Sequence, residues 1–183
     1  MTEKKALYPC GSQRRNRRLF HCYRGIGSSG RRRGAGAYLH KKKGVYKERL
    51  TIRRPFVTFE GEDMNETVIT YNLGAKMEME DGSRRGTFRS YSVLIDTHDF
   101  TARNLTFENS AGLGALVGQA LALYVDGDRI LFDRCRMLAS QDTIFTGPLP
   151  PKEIEPNGFI GPKQYAPGSM AVIITRTALS GRY

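Results

Sequence analysis

Gln119 to Ser140 reads QALALYVDGDRILFDRCRMLAS. It is made of short runs in which apolar and polar residues alternate, broken at Asp126-Gly127-Asp128 by a turn element. A two-residue step marks a strand with one buried face, whereas a helix repeats at 3.6. The same texture extends upstream through RLTIRRPFVTFEG, ETVITYN and YSVLIDTHDFTARNLTFENS, where Val93 and Ile95, then Leu105 and Phe107, recur at that step. Asp-Gly and His-Asp elements separate the runs, as turns do. Strong helix candidates are lacking, so the expected class is all-β.

A loose internal repeat narrows this. Asp99–Ser110 (DFTARNLTFENS) and Asp128–Ser140 (DRILFDRCRMLAS) share a plan: a turn acid, short strands, then small polar residues. Repeats of about 20–30 residues built from short strands point to a solenoid, in which each coil buries its face against its neighbours. A β-sandwich or jelly roll fits the same alternation, and the residues alone leave that choice open.

Composition divides the 183 residues into pieces. Residues 1–43 hold 13 Lys/Arg against one acid, while residues 44–183 hold 16 Lys/Arg against 17 acids, so the net charge of +11 belongs to the first segment. That segment is rich in Arg, Gly and Ser without periodicity, a disordered composition. Its charge suits a polyanion, but the rest of the chain does not support nucleic-acid binding. Six of the eight prolines fall in residues 148–167, expected as an ordered surface loop, and residues 168–183 diverge again. No apolar run is long enough to span a membrane. MTEKKALYPC carries no apolar stretch behind its charges, so no secretory signal is expected and the chain reads as cytoplasmic as written. Cys10, Cys22 and Cys135 match neither a disulfide framework nor a zinc pattern, and are expected as free thiols.

Five stretches in order, GVYKERLTI, TVITYN, ARNLTFENSAG, GQALALYVDGDR and SQDTIF, resemble pectin methylesterases, with GFIGPKQYAP similar to the bacterial branch. The resemblance covers residues 44–167. It implies a right-handed parallel β-helix, incomplete in this chain, and hydrolysis of galacturonate methyl esters in pectin without metal or organic cofactor. It also implies roles. Gln119 and Gln141 would donate hydrogen bonds to the oxyanion, and Asp142 would act as general acid and then base. Phe145 and Thr143 would line the substrate groove, with Phe145 otherwise a core aromatic. The residue types suit the chemistry: neutral amides stabilise charge growing on an ester carbonyl oxygen, and a carboxyl must deliver a proton to departing methoxide. In isolation Asp142 is an ordinary turn residue and Gln119 a solvated loop amide. Along a straight strand Gln141 and Asp142 point apart, so a shared site requires a bend. Asn104 and Asn109 resemble the stacked asparagines that close β-helix turns on backbone groups. Tyr124 and Cys135 read as core, and His40 and His98 receive no role.

The family's nucleophilic aspartate lies in an Asp-Phe-Ile-Phe-Gly motif, followed by a substrate-gripping arginine. These 183 residues contain neither that motif nor the family's Gly-Ser/Thr-Gly-Asp-Phe opening. A reading frame displaced by one nucleotide in residues 1–43, and again in residues 168–183, would account for both departures and is the expectation for these segments. Residues 44–167 are then the partial esterase domain, a monomer if folded, with pectin as partner and little or no turnover. A non-catalytic polygalacturonate-binding remnant is the second reading.

Overall fold

The computed structural model describes residues 36–149, 159–161, 172–175 and 178–181, the last two segments as backbone. The alternating runs become short strands arranged in coils. The first coil holds β1 (Ala37–Lys41), β2 (Gly44–Lys47) and β3 (Leu50–Ile52). The second holds β4 (Val57–Gly61), β5 (Thr67–Tyr71) and β6 (Val93–Ile95), and the third β7 (Thr101–Arg103), β8 (Thr106–Asn109) and β9 (Leu123–Val125). The fourth holds β10 (Ile130–Asp133), β11 (Arg136–Ala139) and β12 (Ile144–Thr146), and β13 (Val172–Thr175) and β14 (Ala178–Gly181) follow.

Each full coil gives one strand to each of three sheets, in the orders β1-β4-β7-β10-β13, β14-β11-β8-β5-β2 and β12-β9-β6-β3. All pairings between these strands are parallel. This is the parallel β-helix, and it decides between the solenoid and the sandwich, whose sheets are antiparallel. Among the described residues the only helical pieces are α1 (Gly114–Val117) and a 3-10 turn at Thr87–Arg89.

Rung partners show why the repeat is loose in sequence. Ala37 pairs with Val57, Thr58 with Thr101, Thr101 with Leu131 and Ile130 with Val172, steps of 20, 43, 30 and 42 residues. Loops of unequal length leave between strands of equal height. The repeat between residues 99–110 and 128–140 is stacked in space, but its alignment shifts by one. At the 30-residue step Asp99 stands opposite Arg129, and His98 bridges to Asp128.

Inward rows fill the lumen. Leu39, Phe59, Ala102 and Phe132 form one, Tyr46, Ile69, Phe107 and Met137 a second, and Leu50, Val93, Leu123 and Ile144 a third. Phe59 meets Phe100 at 5.3 Å and Phe107 meets Phe132 at 5.9 Å between centroids, both edge-on, the geometry ring quadrupoles favour. Cys135 is buried in this core.

Corners need backbone that turns sharply. Phe56, Asp99 and Arg129, successive along one corner, have φ of 57°, 54° and 53°, and Asn104 and Arg134 repeat the device at another with 53° and 52°. Asp and Asn tolerate this left-handed region, while a bulky Phe does so only when its surroundings enforce it. At Phe56 the backbone is held on both sides, its carbonyl accepting from the Ala37 N–H (2.9 Å) and its N–H donating to His98 O (3.4 Å). Gly127 is required by proximity, since a Cβ there would lie 1.8 Å from the Thr97 carbonyl oxygen.

The two asparagines divide their work. Nδ2 of buried Asn109 donates to the carbonyls of Leu73, Ser90 and Leu121 at 2.8–3.0 Å, closing turns on backbone as expected. Asn104 serves through its left-handed backbone, and its amide reaches the Glu60 carboxylate at 3.4 Å instead of a carbonyl. β1 lies on the N-terminal side of the composition boundary at residue 43, and β13 and β14 fall within residues 168–183. The expected disorder of residues 1–35, and most of the proline-rich loop, lie outside the described residues.

Candidate functional site

Neighbouring segments meet in a row of backbone hydrogen bonds at the entrances to β9 and β12. The Gly86 N–H donates to the Ala75 carbonyl (3.0 Å), the Ala75 N–H to that of Gln119 (2.8 Å), and the Ala120 N–H to that of Gln141 (3.0 Å). Gln119 and Gln141 therefore sit on adjacent rungs, Gln119 half-buried and Gln141 exposed. Ser140 Oγ donates to the Gly112 carbonyl. Gln141 lies against the start of α1, where a Cβ at Gly114 would come 3.3 Å from its Oε1.

A bend follows. β11 ends at Ala139, β12 begins at Ile144, and between them Asp142 has a φ of 55°. The left-handed residue breaks the strand alternation, and both Gln141 and Asp142 are exposed. The partner segment is irregular too, since the N–H groups of Ala122 and Leu123 both donate to the Thr143 carbonyl, at 2.9 and 3.2 Å. Two residues facing one is the arrangement of a bulge. It lets Leu121 join Tyr124 in the outer apolar cluster while Ala122 and Leu123 pack into the lumen.

The outward row of this sheet is Thr51, Leu94, Tyr124 and Phe145. Phe145 is half-buried there and touches Phe88 at 4.9 Å and Tyr124 at 5.1 Å between centroids. Phe159, after the proline-rich stretch, packs on Tyr124 at 5.7 Å. Tyr124 is thus buried as expected, yet in a second cluster outside the lumen. Burial, reinforced by the carboxylates of Asp126 and Asp96, pushes its hydroxyl well above the usual phenol range. The sequence reading missed Phe88, Tyr91 and Phe159 as parts of one wall, because residues so distant in sequence meet only through coil stacking. Thr143, half-buried, contributes its carbonyl to the bulge.

His40 and His98 have partners that the sequence reading did not assign. His98 Nδ1 lies 2.7 Å from Asp99, and Arg129 grips both oxygens of Asp99 at 2.8 and 2.7 Å. The Arg129 hydrogen bonds hold the Asp99 carboxyl down at about 2, against some desolvation and with help from His98. His40 lies 3.6 Å from Glu62. The cue was available: His98-Asp99 and Asp128-Arg129 stand one coil apart. This corner lies on the turns before β7 and β10, whereas the Gln141–Asp142 bend lies between β11 and β12.

Two amides on adjacent rungs and an exposed carboxylate can hydrogen-bond a carbonyl oxygen and carry a proton, beside an aromatic wall that suits an apolar or sugar-ring face. Among the described residues no group of three or more His, Cys, Asp or Glu could hold a metal ion.

Comparison with known proteins agrees with the architecture. The Pectinesterase family model matches residues 27–148. Pectinesterase 31 of Arabidopsis thaliana is 42% identical over 108 residues, 56% of this chain and 33% of that protein. Pectinesterase A of Dickeya chrysanthemi is 36% identical over 118 residues, 57% of this chain and 32% of its own length. A solved pectin methylesterase in complex with a hexasaccharide superposes with a TM-score of 0.60 at 33% identity, covering 65% of this chain and 39% of that one. The chain thus spans about a third of the length of these curated relatives.

Proposed function

Because the chain belongs to the pectinesterase family and has its right-handed parallel β-helix, we propose that the bend at Gln141–Asp142, with Gln119, is one half of a site for galacturonate methyl esters in pectin. The observation that carries this reading is the adjacency of the two glutamines, locked by the Ala120 N–H to Gln141 carbonyl bond beside the left-handed Asp142. The amides of Gln119 and Gln141 donate to the ester carbonyl oxygen as negative charge grows there. Asp142 gives a proton to the departing methoxide and then takes one from water. The aromatic wall of Phe88, Tyr124 and Phe145 offers a surface to the sugar chain.

Ester cleavage by this route also needs a second, attacking carboxylate, and the 183 residues hold no Asp-Phe-Ile-Phe-Gly segment to provide it. General-acid assistance alone contributes about 10²–10⁴-fold. The expected result is no methanol release above blank when the purified chain meets methyl-esterified pectin, and robust turnover overturns the half-site. Calorimetric titration with methyl-esterified oligogalacturonate tests the other part. Weak binding, reduced about 5–10-fold in Gln141→Leu, is the expected outcome for one lost hydrogen bond to the ligand. Binding indifferent to Gln141 and Asp142 removes the site.

A further inference from the structure

Gly114 opens α1 where the backbone gives glycine no reason to be. Gly112 and Gly118, on either side of the helix, have φ of 115° and 74° and use the freedom that glycine has. Gly114 is not among the residues of positive φ. Alanine would suit its backbone, and glycine weakens a helix relative to alanine. The reason lies across the loop. A Cβ on Gly114 would find Gln141 Oε1 at 3.3 Å, Gln141 Cβ at 3.6 Å and Ser140 Cβ at 3.8 Å as its three nearest neighbours.

The helix is fastened on both flanks, so it holds its place against Gln141. Lys76 donates from Nζ to the Ala115 carbonyl (2.8 Å) and from its backbone N–H to the Val117 carbonyl (2.9 Å). The Ala111 N–H donates to Asn109 Oδ1 (3.1 Å), and Ser140 Oγ closes onto the Gly112 carbonyl. Gln141 itself is exposed, and an exposed amide keeps several rotamers unless a neighbour removes them. Gly114 is that neighbour. The amide oxygen of Gln141 rests on it, and a methyl in its place would have to push that oxygen away.

We propose that Gly114 is a positioning residue for Gln141. Its missing side chain seats the Gln141 amide oxygen against α1, which leaves Nε2 for the ester carbonyl oxygen of the ligand. Because the chain runs from α1 through Gly118 straight into Gln119, one short helix sets the spacing of both amides. The proposal rests on the pectin reading above.

Gly114→Ala separates this role from a structural one, because the two predict opposite signs. The added methyl displaces Gln141 by a few tenths of an ångström, while alanine favours the helix. The expected urea midpoint of the full chain is therefore equal to or above that of the wild type. Methyl-esterified hexagalacturonate is expected to bind about 3–5-fold more weakly in calorimetric titration, part of one hydrogen bond. In the Gln141→Leu background the same substitution is expected to change binding by less than about 1.5-fold, since the residue it acts through is gone. Equal losses in both backgrounds, or no loss with Gln141 intact, overturn the proposal while leaving the ester site standing. No binding by the wild-type chain overturns the ester reading. Proton cross-relaxation judges the glycine without ligand: contact between the Gly114 α-protons and the Gln141 side chain sustains the seating of the amide, and its absence overturns it.

Discussion

At the scale of single residues, the corner at Asp99 shows most plainly how coil stacking changes chemistry. Asp99 has a pKa of about 2, held there first by the Arg129 hydrogen bonds, against about 3.9 in an unfolded chain. A folded value below the unfolded one adds stability that is present above about pH 4 and is lost as pH falls through 2. Asp99→Asn is therefore expected to flatten the decline of the urea midpoint between pH 4 and pH 2, and a parallel decline in both proteins refutes the assignment. Cys135 behaves oppositely. Burial in the lumen pushes its thiol up to about 12, so thiolate is scarce and alkylation slow. Mass spectrometry is expected to find Cys135 unmodified by iodoacetamide at pH 8 in the native chain and labelled in urea. Asp142 and Gln141 could be picked out in the sequence, and the left-handed φ of Asp142 has a residue type that permits it. The grip of Arg129 on Asp99 was harder to read, because it depends on which residue of the next coil stands opposite.

Elements here are too short to be stable alone, and their ends carry the demands. Asn109 at the end of β8 holds three carbonyls with two N–H groups, so at least one bond is shared. Removing it strands buried acceptors on three segments. Asn109→Ala is expected to cost about 3 kcal/mol, read from chemical denaturation, and a change below about 1 kcal/mol denies it that role. At the turn after β9, Gly127→Ala forces a methyl against the Thr97 carbonyl. A loss of about 3 kcal/mol or failure to fold is expected, by the strain of overpacking, and an unaffected melting temperature contradicts the close approach. The alternation in residues 119–140 made β9, β10 and β11 legible. The bulge opposite Thr143 was not, because two N–H groups sharing one carbonyl leave no mark in residue types.

Across the whole molecule, each coil packs only on its neighbours, so protection should follow position in the stack. In the sheet ordered β12-β9-β6-β3 the inner strands β6 and β9 have partners on both sides. Hydrogen exchange is expected to be slowest there and at least ten-fold faster in β1 to β3, whereas uniform exchange signals one indivisible unit. The sequence by itself determined the all-β class and the resemblance that led to the family, with Gln119, Gln141 and Asp142 as the candidates that resemblance implies. Those are carried by residue type and local order, which the chain states directly. Only the tertiary structure decided the steps of 20, 43, 30 and 42 residues between rungs, the one-residue shift that sets Asp99 against Arg129, and the outer aromatic wall. Each of these depends on register between coils, and register follows from loops of unequal length whose contribution no local pattern reveals.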